Sequence, residues 1–468
     1  MGYSNNIDCQ HTGLQVDVSP HAAQAGYSRP PLPKRVAATT PSGRVVSQKT
    51  GDSDTLVSEY AFPGPLVLPE DSLAIDPKEP PQSLRSFIQE GARNPLTKRR
   101  KTLYIGRVSN IAAGVSQMKT WSTPSCLLSA SKNSKTKESI PQPPNAEHVR
   151  QYLEAFYHPL MVKHLPGPVS FIPWADDSAS TDQSRRKGGK VASSEPFVGL
   201  QIGKGVTRVR TRPCPDEAFS RQINLNDVMD ALIEAVPDDA HSAILLVDQD
   251  MFDDEEDIFC CGLAYGGSRV AVISTARYHP GLDDNQDMYG DEVLDRQHLW
   301  PASHCTQYVE RMCGIEAEPK RKKAKVNHAS QRLDVEGTAL GAALKAAMAA
   351  PDPDKDLEGM WFSRVARTAA HELGHCFAIG HCVYYACSMQ GTSCIAEDMR
   401  QPPYLCPVCL AKVTRAITDV ERGLDAQEFV LQRYKALFNF CEKRLQVTMF
   451  AGFHAWLGKR IEDLEEQT

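Results

Sequence analysis

Residues 371–381 read HELGHCFAIGH, and this run constrains the chain more than any other part of it. His371 and His375 are four residues apart, so on a helix they share a face, one turn above the other. That spacing lets two imidazoles hold one zinc ion at about 2.0–2.1 Å each. Glu372 follows the first ligand, on the side where a zinc-bound water sits. A carboxylate there takes the water's proton and later passes it to a leaving amine. The helix has its own support: Phe362, Ala366, Ala370, Leu373 and Phe377 form an apolar stripe that leaves the neighbouring histidine face to a cleft. A bare HExxH also occurs in helices whose histidines only cap neighbouring groups. His381, six residues after His375, weighs against that bland alternative. A helix would aim it away, so the chain must turn sharply to bring a third imidazole to the metal. Three protein ligands and one open position are what a catalytic zinc requires.

Cysteines crowd the same stretch. Of fourteen in the chain, Cys376, Cys382, Cys387, Cys394, Cys406 and Cys409 fall within 34 residues. Cys382-x4-Cys387, then eighteen residues, then Cys406-x2-Cys409 reads as a four-thiolate zinc clamp, with Pro407 shaping the second knuckle. The competing interpretation is plain packing, because small thiols fill cores well. Cys376 and Cys394 lack a paired partner and are expected as core or loop thiols. The clamp would tie the chain just after His381 to the helices that follow, so two zinc ions per chain are expected, one catalytic and one structural.

HELGHCFAIGHCVYYACSMQGTSC followed by CPVC resembles the archaemetzincins, a family of the metzincin clan of zinc peptidases. That family joins the three-histidine site to Cys-x4-Cys-x-Met and a later Cys-x2-Cys. Cys382 and Cys387 match the first pair, Met389 the methionine turn, and Cys406 and Cys409 the last pair; the strong match covers residues 371–409. The resemblance implies a zinc metallopeptidase acting on peptides or proteins, possible aminopeptidase-like trimming, and Met389 as a packing floor beneath the zinc ligands. Taken alone, Met389 is simply a core methionine. One position departs from the pattern: metzincins usually carry glycine three residues after the second histidine, and here that residue is Ala378. Gly380 is expected to take over the turn.

The expected fold is α/β: a metzincin-like zincin domain, with a twisted sheet above the active-site helix and a helical C-terminal subdomain, plus long disordered segments. Residues 1–146 read as a mostly disordered N-terminal region, since the first sixty are rich in Ser, Pro, Gly and Gln. The catalytic domain is placed at 147–468, with flexible insertions near 176–194 and 315–356. EHVRQYLEAFYHPL is helical in pattern, residues 167–173 and 198–210 read as strands, and Asn226 is expected to cap the helix ended by Pro237. SAILLVD (242–248) is a continuous apolar run typical of a strand buried on both faces. FCCGLAY and RVAVIST flank a Gly-Gly-Ser turn as a hairpin, and RVAVIST (269–275) is the expected edge for an extended substrate. Helices are expected at 357–378 and from about 408 onward.

Composition narrows the setting. The net charge of −6 gives no global pull toward nucleic acid or an anionic membrane, so neither is an expected partner. No apolar run approaches the ~20 residues of a membrane span. The N-terminus lacks an export pattern, and its near-fit to a myristoylation site fails at Asn6. Fourteen cysteines without an export signal point to a reducing compartment, cytoplasmic or nuclear. The basic runs at 98–101 and 320–325 read as solvated segments, with nuclear import as the alternative. The Asp-rich stretch 248–257 lacks the glycine and closing glutamate of a calcium loop. RPCPD (212–216) faintly resembles the cysteine switch of matrix metalloproteinases but reads as an ordinary loop. Two rival functions stand beside the peptidase: a zinc-stabilised interaction module whose peptidase site is idle, and a peptidase in which Glu397 replaces His381 as third ligand.

Overall fold

The computed structural model describes residues 13–45, 58–130, 141–174, 196–285, 296–315, 337–352, 355–421 and 425–466. The chain packs as two compact units. One comprises residues 92–285 and 364–378. Its strands are β1 (Thr102–Arg107), β2 (Asn110–Ile111), β3 (Val162–His164), β4 (Val169–Ile172), β5 (Phe197–Ile202), β6 (Gly205–Pro213), β7 (Arg221–Asn224), β8 (Ala240–Val247), β9 (Asp250–Phe252), β10 (Gly262–Ala264) and β11 (Val270–Ser274). They form a five-stranded sheet, order β10-β11-β8-β1-β3, and a six-stranded sheet, order β2-β4-β5-β6-β7-β9. β8 is buried along its whole length between parallel neighbours β1 and β11, which is why it carries an unbroken apolar run. Helix Leu225–Ala235 drives Val228, Met229 and Leu232 into one core with Leu200, Val209, Leu245 and Val272.

Three expectations change here. The expected edge strand is interior: β11 pairs with β8 on one side and with β10 on the other, so β10 is the edge. The helix cap is Asn224, whose side chain accepts from the Asp227 N–H, whereas Asn226 donates its amide to Asp253. A cap sits outside the helix and bonds three residues in, and only Asn224 has that geometry. The N-terminal region, expected to be mostly disordered, supplies β1, which lies between β8 and β3 in the sheet. TLYIGR is too short a run to stand out in polar surroundings, and its partners lie far along the chain.

The other unit comprises residues 1–91, 286–363 and 379–468. Its helices include Ala339–Ala349, Ile395–Arg400, Pro407–Thr418, Ala426–Glu442 and Thr448–Glu465. Trp456 stacks on Tyr404 at 4.4 Å, meets Phe62 edge-on, and donates its indole N–H to the Ala61 carbonyl. Leu66 and Leu68 are buried with Tyr308 and Val309. Residues 61–68 are thus core, although their Pro-rich, aperiodic sequence signals no helix or strand. Within the expected insertion 315–356, residues 339–349 form a buried helix capped by Thr338. Its small residues permit close approach: a Cβ added at Gly452 would lie 3.2 Å from the Ala343 carbonyl oxygen. The insertion expected near 176–194 and the basic run 320–325 lie outside the described residues. Among the described residues no helix is long and apolar enough to cross a membrane.

Candidate metal centre

Helix Leu357–Cys376 carries the HExxH run and ends where the third histidine requires a turn. Val365, Ala366, Ala369, Ala370 and Leu373 are fully buried on one side of it. The Tyr157 hydroxyl donates to the Ala370 carbonyl at 2.6 Å, and Phe377 stacks on Tyr157 at 5.1 Å and packs against His241 at 4.3 Å. These contacts fix the rotation of the helix about its axis. His371 and His375 accordingly share a face, with their Nε2 atoms 2.9 Å apart.

The helix ends at Cys376, and the chain turns at Ala378, whose φ of +63° lies in the left-handed region. Gly380 does not adopt that conformation, so the departure from the metzincin glycine leaves the turn where it was, on a residue that bears a Cβ. Hairpin residue Gly267 accommodates it. The Gly267 N–H donates to the His375 carbonyl at 2.9 Å, and a Cβ added at Gly267 would lie 3.5 Å from that of Ala378. A left-handed L-residue costs roughly 1–2 kcal/mol, and glycine returns part of that gain as chain entropy. Ala378→Gly is therefore expected to raise stability by about 0.5–1 kcal/mol with the zinc site intact. Denaturant melts check this; a lower midpoint would show that the Ala378 methyl contributes packing worth more than the strain.

Beyond the turn, His381 completes the set: the ring nitrogens of His371, His375 and His381 all lie within 4.8 Å of one another. Tetrahedral ligation at about 2.0–2.1 Å separates nitrogens by roughly 3.3 Å, so these three imidazoles fit a zinc ion with small adjustments. Glu372 is not among them. It is 8% exposed, and a Cβ added at Gly262 would stand 3.4 Å from its Oε1, which places the carboxylate against edge strand β10. Cys260, beside that strand, registers the same group: burial first, then the charges of Glu372, Asp253 and Asp257, push its thiol up to about 12.

A second group lies in the loop and helix that follow. Cys382, Cys387, Cys406 and Cys409 are buried, and their sulfurs lie within 4.8 Å of one another. The Cys382 and Cys406 sulfurs are 3.5 Å apart, near the roughly 3.8 Å that tetrahedral zinc imposes at 2.3 Å per bond. Backbone N–H groups of Cys406 and Met389 point at the Cys387 sulfur, and that of Cys409 at Cys406, which suits thiolates. Burial alone would raise the Cys382 thiol, but hydrogen bonds from the other three sulfurs outweigh it and hold it well below the usual range. The donor set therefore fits a closed structural zinc. Helix Pro407–Thr418 begins at Cys406, with Pro407 at its first position, so the second knuckle is a helix N-terminus. Cys376 is a buried core thiol, and Cys394 caps helix Ile395–Arg400, as expected of the unpaired pair.

The residues weighed as rivals or declined have other partners. Glu397 lies outside the histidine group: its carboxylate accepts from the backbone N–H groups of Ser72 and Ser393, and burial, then the charge of Asp71, pushes it up to about 8. The Asp-rich stretch is only partly solvated, because Asp250 is fully buried and paired with Arg277. Cys214 faces that same arginine and Asp216, so it is a loop thiol held in an ion cluster. Met389 is fully buried, and its carbonyl accepts from the Cys382 N–H at 2.7 Å.

Four residues near the site carry no motif signal. Glu79 meets His381, and Gln82 meets both Gly380 and Lys412. Gly391 supports the His381 ring; a Cβ there would come within 2.9 Å of Nδ1. Gly262 leaves room for Glu372.

The region that carries both groups is similar to known proteins. Residues 348–415 match the model of peptidase family M54. Archaemetzincin-2 of Rattus norvegicus is 32% identical over 108 residues, 22% of this chain and 28% of that protein. An archaemetzincin of Methanopyrus kandleri is 37% identical over 72 residues, covering 15% of this chain and 38% of the other. The crystal structure of the Methanopyrus kandleri archaemetzincin aligns over 69% of this chain and 97% of that one, at 14% identity and a TM-score of 0.29. The chain thus matches well under half the length of these curated relatives.

Proposed function

Taking residues 348–415 as a segment of the archaemetzincin type, peptidase family M54, we propose that the chain is a zinc-dependent metallopeptidase that hydrolyses peptide bonds. The observation that carries this is the convergence of three imidazoles next to Glu372, itself set against an open strand edge. His371, His375 and His381 would hold the catalytic ion, and Cys382, Cys387, Cys406 and Cys409 a structural one. When bound, the catalytic zinc supplies Lewis acidity toward the scissile carbonyl and lowers the pKa of its water toward about 7. Glu372 takes the proton released as the attacking oxygen adds to the carbonyl carbon. It then delivers that proton to the nitrogen as the C–N bond breaks. Burial keeps bulk water from competing for it. Met389 serves as the packing floor of the site, aminopeptidase-like trimming is the form of hydrolysis the resemblance favours, and the reduced thiols suit a cytoplasmic or nuclear setting.

Substrate is held as an added strand on β10. Because the Ser274 N–H bonds the Cys261 carbonyl, the alternation of an antiparallel pair turns the N–H and C=O of Gly262 and Ala264 away from β11. The Gly262 N–H and both backbone groups of Ala264 are available to an extended peptide, while the Gly262 carbonyl already accepts from the Cys260 thiol. Ala264→Pro deletes one outward donor without touching the bonds to β11, and an edge strand tolerates it. Losing one hydrogen bond of about 0.5–1.5 kcal/mol should raise KM by roughly 2–10-fold with zinc content unchanged. An unchanged KM would move the substrate off β10.

Digestion of a mixed peptide library by the zinc-loaded chain tests the function itself. Defined products should form, vanish on chelation and return with added zinc. A library left intact while both metal groups are filled would assign the chain to the interaction modules instead.

A further inference from the structure

His381 is the least constrained of the three histidines by its own motif. It stands beyond the helix, and its side chain is 39% exposed. An imidazole in that position can rotate, and rotation would take its nitrogen away from the metal. Yet the ring is held on several sides. Its Nδ1 is 3.0 Å from Glu79 Oε1. Its face rests on Gly391, where a side chain would not fit. The backbone just before it is fixed as well, because the Gly380 N–H donates to Gln82 Oε1 at 3.0 Å.

Glu79 and Gln82 belong to one short strap, Glu79-Pro80-Pro81-Gln82. Two successive prolines restrict φ in the middle of the strap, so the spacing between its two gripping side chains varies little. The strap is anchored at its far end, where Ser83 caps helix Leu84–Gln89 by accepting from the Ser86 N–H. Gln82 Oε1 also accepts from Lys412 Nζ at 2.8 Å. Lys412 sits one turn beyond Cys409 on helix Pro407–Thr418, so the strap links the four-thiolate group to the third histidine.

We infer that Glu79 is the positioning residue of the third imidazole, fixing its tautomer and ring orientation by accepting the Nδ1 proton. This rests on the metallopeptidase reading above. An imidazole that donates from Nδ1 to a carboxylate has Nε2 as its only lone pair for a metal. His371 and His375 also approach each other through Nε2, so all three ligands present the same nitrogen. Carboxylates that accept from a ligating histidine hold it in register and raise its basicity, and losing one typically costs 10–100-fold in metal affinity. An ordinary surface His–Glu pair would have no such consequence.

The test measures zinc affinity of the full-length chain by competition with a chromophoric chelator, for the parent, Glu79→Ala and Glu79→Gln. Glu79→Ala should weaken the chelator-labile site by 10–100-fold while the tightly held thiolate zinc stays. Glu79→Gln retains an oxygen acceptor and should fall between the two. Cobalt substitution should show a changed ligand-field spectrum at the labile site in Glu79→Ala, which a merely structural contact would not produce. Labile-site affinity within twofold of the parent in Glu79→Ala would overturn the inference and leave the metallopeptidase reading standing. A parent chain with no chelator-labile zinc would overturn that reading, and the inference with it. Should Glu79→Ala lose both metals through misfolding, the isosteric Glu79→Gln decides: weakened affinity supports the role of Glu79, and parental affinity with a parental cobalt spectrum refutes it.

Discussion

Glu372→Gln should lower turnover by about 10²–10⁴-fold while zinc content, melting temperature and peptide binding stay close to those of the parent. The substitution keeps the shape of the side chain beside Gly262 and removes only its capacity to carry a proton. Because Glu372 is not one of the three grouped ligands, metal retention follows from the geometry. Steady-state kinetics with equilibrium zinc analysis check both halves. Activity equal to the parent would remove Glu372 from the mechanism, and lost zinc would make it a ligand.

Cys409→Ser should be the most destabilising single change near the site. Zinc bound by four thiolates contributes folding free energy directly, and apparent values in small zinc domains reach about 10–16 kcal/mol. Whole domains are stable by only about 5–15 kcal/mol, so losing even a fraction of that term matters. A loss of about 3 kcal/mol would lower Tm by roughly 6–12 °C in a unit of ~150–250 residues. Cys409 is fully buried, so serine also places a hydroxyl where the ion's charge no longer offsets it. Through Lys412, Gln82 and Gly380 the damage should reach His381, and catalytic zinc should weaken as well. Calorimetry with metal analysis measures this. An unchanged Tm and zinc content would reduce the cysteine group to ordinary packing.

The two candidate metal groups were legible in the sequence because ligand chemistry demands particular residue types at particular spacings. His371 and His375 follow from helical periodicity, and the cysteine pairs from the reach of a knuckle. What supports those ligands was not legible. Glu79 and Gln82 act across some three hundred residues of sequence, from a stretch whose composition resembles a linker. Nothing local marks them apart from the two prolines between. The edge of the sheet was misplaced by one strand for a related reason. RVAVIST has the stronger β pattern because it is buried between two neighbours, whereas the true edge, Gly262–Ala264, is short and half-exposed. Strong apolar patterning therefore marked the interior strand. Ala378 shows the opposite limit: its identity argued for moving the turn, but the Gly267 N–H bond to His375 and the start of the ligand turn leave the chain no other route.

Two unlike zinc centres are proposed for one chain, an open one of three imidazoles and a closed one of four thiolates. Zinc counted per chain in the parent and in His381→Ala tests this most directly. Two ions are expected in the parent and one in the variant, with the remaining ion resistant to chelation and the fold retained. Equal counts in the two proteins would contradict the proposal, because His381 would then be no ligand and the three-histidine centre would not exist.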